Sequence, residues 1–155
     1  MSALPPKLEE IVDLFASLPE EEKRENLILY SDSAKGCAPK EGESFDLEDI
    51  RKDEECADTV GIFLRVDPAT EAATVRVTLG PQVQTLTKAM TTILCRGLAG
   101  TTPRHILEVP SDFVPRIVGG ELIRARSQTT YYVLSRIKGI CKVYLDRKRA
   151  AEAAA

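Results

Sequence analysis

The chain is poor in the residues that usually announce a metal or a membrane. It has one histidine, His105, and four cysteines with no C-x-x-C pair among its 155 residues. A cysteine/histidine zinc cage would therefore need distant ligands to converge without any local spacing signal. No run of about eighteen apolar residues is present, which excludes a sequence-evident transmembrane helix. The opening Met1-Ser2-Ala3-Leu4-Pro5-Pro6 lacks both the basic flank and the apolar core of a signal peptide. Positive charge is not in excess either: 21 Lys+Arg stand against 24 Asp+Glu, for a net charge of -3. That balance offers no general attraction to nucleic-acid phosphates or to an anionic membrane surface. The expectation is a soluble, cytoplasmic protein, with too little material for a second independent core.

A reducing compartment makes disulfides rare, so the cysteines are read for burial or reactivity. Cys95 and Cys141 fall among apolar neighbours in helical patterns, where a thiol behaves as a small buried hydrophobe. Cys37 stands in Lys35-Gly36-Cys37-Ala38-Pro39, a locally basic loop expected to expose it and to favour its thiolate. Cys56 stands in the acidic run Asp53-Glu54-Glu55-Cys56-Ala57-Asp58, where neighbouring carboxylates oppose a further negative charge. Its position just before a strand nevertheless suits presentation to a partner. Cys37 and Cys56 both remain candidates on these grounds. His105, near a helix start, reads as a partly exposed surface residue.

Periodicity divides the rest. Leu8, Ile11, Val12, Phe15 and Leu18 form one apolar helical stripe after Pro5-Pro6, and Glu20 to Tyr30 predicts a second helix with an acidic first turn. Ser31 to Phe45 reads as loop. From Val60 the period becomes two: Val60, Ile62, Leu64 and Val66, then Ala73, Val75, Val77 and Leu79, predict a β-hairpin over 60–79. Gly80-Pro81 ends it, and a helix through Met90, Ile93 and Leu94 closes near Gly97. Thr102-Pro103 opens a short helix, Phe113 to Val118 a shorter one, and a long final helix is expected from about Ser127. The fold class is α+β: a small antiparallel sheet, the hairpin plus a third strand, packed against helices. Residues 1–145 form one domain, and 146–155 a charged, alanine-rich tail expected to fray.

In this order the residues resemble the SufE/CsdE family, sulfur acceptors that partner cysteine desulfurases. Cys56 precedes the hairpin as the family's reactive cysteine does. Leu86-Thr87-Lys88-Ala89-Met90, Thr102-Pro103-Arg104-His105-Ile106-Leu107 and Val109-Pro110-Ser111-Asp112-Phe113 resemble its following helices, and Ala125-Arg126-Ser127-Gln128 its entry to the last helix. The resemblance covers most of the chain. It implies a fold shared with SufE and IscU-like scaffolds, and a persulfide carrier rather than a stand-alone enzyme. Cys56 would be the acceptor and Arg126 the cation beside it, with Glu55, Asp58 and Lys88 docking the partner. It implies no cofactor on this chain, pyridoxal phosphate belonging to a SufS/CsdA-like desulfurase. A downstream iron-sulfur scaffold would take the sulfur, with no nucleic acid or membrane involved and the chain monomeric or homodimeric. Two departures stand near the cysteine: Asp58 where many members have serine, and Pro81-Gln82-Val83 where many have Asp-Ser-Asp. An adaptor that docks a desulfurase without carrying sulfur is the alternative those departures suggest. A cluster scaffold and an oxidation-sensitive thiol protein using Cys37 are the others.

Overall fold

The computed structural model describes residues 4–52 and 58–154, with the side chains of 120–128 and 130 outside that description. Its helices are α1 (Pro6–Ala16), α2 (Glu20–Asp32), α3 (Thr85–Gly97), α4 (Pro103–Glu108), α5 (Val114–Val118) and α6 (Gly120–Ala154). Its strands are β1 (Leu47–Lys52), β2 (Thr59–Val66) and β3 (Ala73–Leu79), in the order β1-β2-β3 and antiparallel throughout. This is the expected α+β architecture, with β1 as the third strand.

The hairpin register follows the period-two pattern. Val60 faces Leu79, Ile62 faces Val77, Leu64 faces Val75 and Val66 faces Ala73. These side chains turn one apolar face toward the helices, and all but the part-buried Leu79 are buried. The other face is covered as well, by the segment leading into β1. Phe45 packs on Phe63 with ring centroids 5.3 Å apart. Glu43 accepts from Arg65 at 2.9 Å and from Arg76 at 3.1 Å, and Phe63 is buried beneath.

Helix α3 runs through the centre, buried on nearly every side and packed by α1, α2, α6 and β3. A helix buried all round needs apolar or self-satisfied residues, and its threonines meet that condition. Thr91 Oγ1 donates to the Thr87 carbonyl at 2.8 Å, and Thr92 Oγ1 to that of Lys88 at 3.3 Å. Gly97 lets α1 close in, since a Cβ there would stand 2.8 Å from Leu8 Cδ1 and 3.1 Å from Leu8 Cα. Thr102 caps α4 by accepting from the His105 backbone N–H, with Pro103 in the first turn, and His105 is partly exposed.

Three sequence expectations shift. Ser31 to Phe45 is not wholly loop: α2 continues to Asp32 and a 3₁₀ turn follows at Ala34–Cys37. The last helix begins at Gly120, earlier than the Ser127 at which its apolar pattern becomes evident. It also continues through 146–154 instead of fraying, with Lys148 paired to Glu71 at the hairpin tip. None of the described helices is long and apolar enough to cross a membrane.

Candidate functional site

The segment holding Cys56 joins β1 to β2, so it is itself a hairpin connection, entered from Lys52 and left through Asp58. Lys52 and Thr59 are the last paired residues before it. Glu55 and Cys56 lie outside the described residues. Arg126 belongs to α6, with its side chain likewise outside, so the expected meeting of Cys56 and Arg126 falls beyond what is described.

The base of that connection is described in detail. Asp58 Oδ1 accepts the N–H of Thr59 at 2.7 Å, and Oδ2 accepts the N–H of Gln82 at 2.8 Å. These two backbone donors, Gln82 first, hold the Asp58 carboxyl below its ordinary pKa, with Lys52 adding a smaller pull. Gly80 makes the approach possible, because a Cβ there would lie 2.2 Å from the Asp58 carboxyl carbon. The two departures from the family pattern therefore touch each other: the carboxylate at 58 binds the turn at 80–82. Asp58, read from sequence as a docking residue, is hydrogen-bonded to this turn.

Lys88 lies on the other side of the same turn. With Ser31, Lys35, Gly80 and Pro81 it lines a cleft of about 590 Å³ between the end of α2, β3 and α3. Thus Asp58 and Lys88 are brought to one end of the sheet.

Sequence reasoning missed Arg136. It is 3% exposed and reaches from α6 to the start of the sheet. Nη2 donates to the carbonyls of Asp49 (2.8 Å) and Val60 (3.1 Å), Nε to Asp49 Oδ2 (3.3 Å) and Nη1 to the Tyr132 hydroxyl (2.7 Å). A guanidinium fork is the side chain suited to bind two strands at once. The available signal was a charge inside the apolar stripe formed by Tyr132, Val133, Ile137 and Ile140.

The expected exposure of Cys37 is wrong. The 3₁₀ turn folds it inward against α3, where it is 5% exposed, and its Sγ lies 3.9 Å from Thr92 Oγ1. The influence of the Cys95 thiol first, then of Thr92, Arg96 and Arg76, lowers the Cys37 pKa to about 7 against the cost of burial. Cys95 and Cys141 are buried as expected, and burial pushes the Cys141 thiol up to about 12. No group of three metal-ligating side chains occurs among the described residues.

No family model and no curated protein matches the chain. A solution structure of a hypothetical protein from Thermus thermophilus is similar to it, with a TM-score of 0.68 and 26% identity, covering 92% of this chain and 98% of that one. The α+β fold is shared with that protein over nearly the whole of both chains.

Proposed function

We propose that this chain is a sulfur acceptor of the SufE/CsdE kind, taking persulfide sulfur from a cysteine desulfurase onto Cys56. The observation that carries this reading is the seat of the Cys56 segment. It connects two paired strands and is pinned at its exit by a carboxylate bonded to the Gly80–Gln82 turn. A short connection on a fixed base suits delivery of one side chain to a partner. The resemblance of the surrounding sequence supplies the chemistry. In the step, the Cys56 thiolate attacks the outer sulfur of the donor persulfide. The donor S–S bond breaks, the donor leaves as its own thiolate, and Cys56 carries the sulfane sulfur. Arg126 would stabilise the anion, and the carboxylates flanking Cys56 would steer docking onto a basic partner surface.

Incubation with a desulfurase and cysteine, followed by intact-mass analysis, tests the reading. Wild type should gain one sulfur atom and Cys56→Ser should not, while Cys37→Ser should still gain it. Stimulation of the desulfurase with no adduct on any cysteine would replace the carrier by an adaptor, the reading that the altered residues 58 and 81–83 favour.

A further inference from the structure

We infer that the cleft between Lys35 and Lys88 seats an extended, acidic segment of the sulfur-donating partner, which lies along the edge of β3 and sets its carboxylates on the two lysines. This rests on the carrier reading for the partner's identity, and on the cleft for the chemistry of what it accepts.

Strand β3 is an outer strand of the sheet. Backbone groups along a strand point alternately to its two sides, and bonds at both ends of β3 fix which way they point here. Gly80 N–H donates to the Thr59 carbonyl at 2.9 Å, so residue 80 faces β2. Ala73 faces away: its N–H donates to the Thr101 carbonyl at 2.9 Å, and its own carbonyl accepts the Gly100 N–H at 3.0 Å. Leu79 shares the parity of Ala73 and turns its N–H and C=O outward in the same way. The 100–101 loop thus covers the start of this edge. At Leu79, which is half-buried, the outward groups have no hydrogen-bond partner among the described residues, and there the strand lines the cleft together with Gly80 and Pro81. Unpaired edge groups are what an added extended chain bonds to.

The charge of the cleft selects the chain. Lys35 is exposed and Lys88 half-buried, and neither ammonium is paired with a carboxylate among the described residues. Asp32 is the only carboxylate lining the cleft, against these two cations, so a chain of net charge -3 carries a local positive excess here. A partly desolvated ammonium with no counter-charge favours a carboxylate brought by a partner. The place of the cleft fits the relay, because Gly80 in its wall also packs against the Asp58 carboxylate at the exit of the Cys56 segment. The acidic residues flanking Cys56 and this basic cleft carry opposite signs. A partner with the complementary pair therefore meets the chain in one orientation.

Carbodiimide coupling of the full-length protein to a cysteine desulfurase, followed by peptide mapping, tests the seat directly. Lys35 and Lys88 should be joined to aspartate or glutamate within one continuous segment of the desulfurase, and amide exchange at Leu79 should slow in the complex. Affinity, measured by titration calorimetry, should fall about tenfold in Lys35→Ala/Lys88→Ala and be retained in Lys35→Arg/Lys88→Arg. Parent affinity in the double alanine variant, with neither lysine coupled, would overturn the inference and leave the sulfur relay standing. Lysine-dependent binding with no sulfur adduct on Cys56 would strike the relay and leave the cleft as a docking site. A lysine-dependent dimer formed without desulfurase would put a second copy of the chain in the cleft and so overturn the inference, and no binding by the parent would remove both readings. The coupling is read on the parent protein, so it decides even where a variant folds poorly.

Discussion

The carboxylate of Asp58 accepts the backbone N–H of Gln82, a residue 24 positions further along the chain. One side chain thereby joins the exit of the Cys56 segment to the turn that begins α3.

Removing that bond should loosen the segment without unfolding the sheet. Asp58→Ala is expected to speed amide exchange at Thr59 and Gln82 and to slow sulfur transfer to Cys56, with circular dichroism unchanged. Asp58→Asn, which keeps one acceptor oxygen, should lie between the variant and the parent. Unaltered exchange at Gln82 in Asp58→Ala would dissociate the turn from this side chain.

Arg136 should be among the costliest single positions. Truncation to alanine removes the bonds from the buried guanidinium to the Asp49 carboxylate, the Asp49 and Val60 carbonyls and the Tyr132 hydroxyl, at a cost of about 3 kcal/mol. Arg136→Lys keeps the charge and loses the fork, so it should recover only part of the urea midpoint. Full recovery by lysine would mean that charge alone matters here.

Two helical glycines should respond with opposite signs. At Gly97 an alanine gains about 1 kcal/mol of helix propensity but must push α1 away at Leu8, an overpacking cost of about 1–3 kcal/mol. The backbone contact decides the sign, and Gly97→Ala should destabilise. Gly139 has nothing within 4 Å of an added Cβ and lies inside α6, so Gly139→Ala should stabilise by up to about 1 kcal/mol. Denaturant titration of the two variants measures both.

Acid should weaken the cover over the outer sheet face. Glu43 is held below its ordinary value of 4.5, first by the Lys40 N–H and then by Arg76 and Arg65. A carboxylate depressed in the folded state contributes stability that is present above the unfolded pKa and is lost as pH falls through the folded one. Stability should therefore decline below about pH 4.5, and less steeply in Glu43→Gln, as followed by thermal melts between pH 6 and 3.

The hairpin and central helix were legible because their signals are local: alternation in 60–79 fixes a face, and the apolar density around Met90 fixes burial. Strand β1 was harder to read, since Glu48, Asp49, Arg51 and Lys52 have the composition of a solvated loop, and only pairing to β2 makes them a strand. Cys37 misled for a related reason. Glycine, proline and lysine around it describe an exposed loop, whereas its burial depends on α3, far away in sequence. Arg136 and the Asp58–Gln82 bond are likewise tertiary facts. Their partners lie 87, 76 and 24 positions away, beyond the reach of any spacing rule.

Helix α6 and strand β2 gauge each other's length. Arg136 fastens the helix at Val60, and Lys148 fastens it at Glu71, where the chain takes a positive φ of 63° just beyond the end of β2 at Val66. The helical stretch spans roughly 18 Å and the strand from Val60 to Val66 roughly 20 Å, so the two rulers agree. A residue inserted between the two fastenings would swing Lys148 about a hundred degrees around the helix axis, away from its carboxylate. Length is therefore fixed along this stretch and free beyond it, which leaves Ala150 to Ala154 as the place where a tag or fused domain costs the fold nothing.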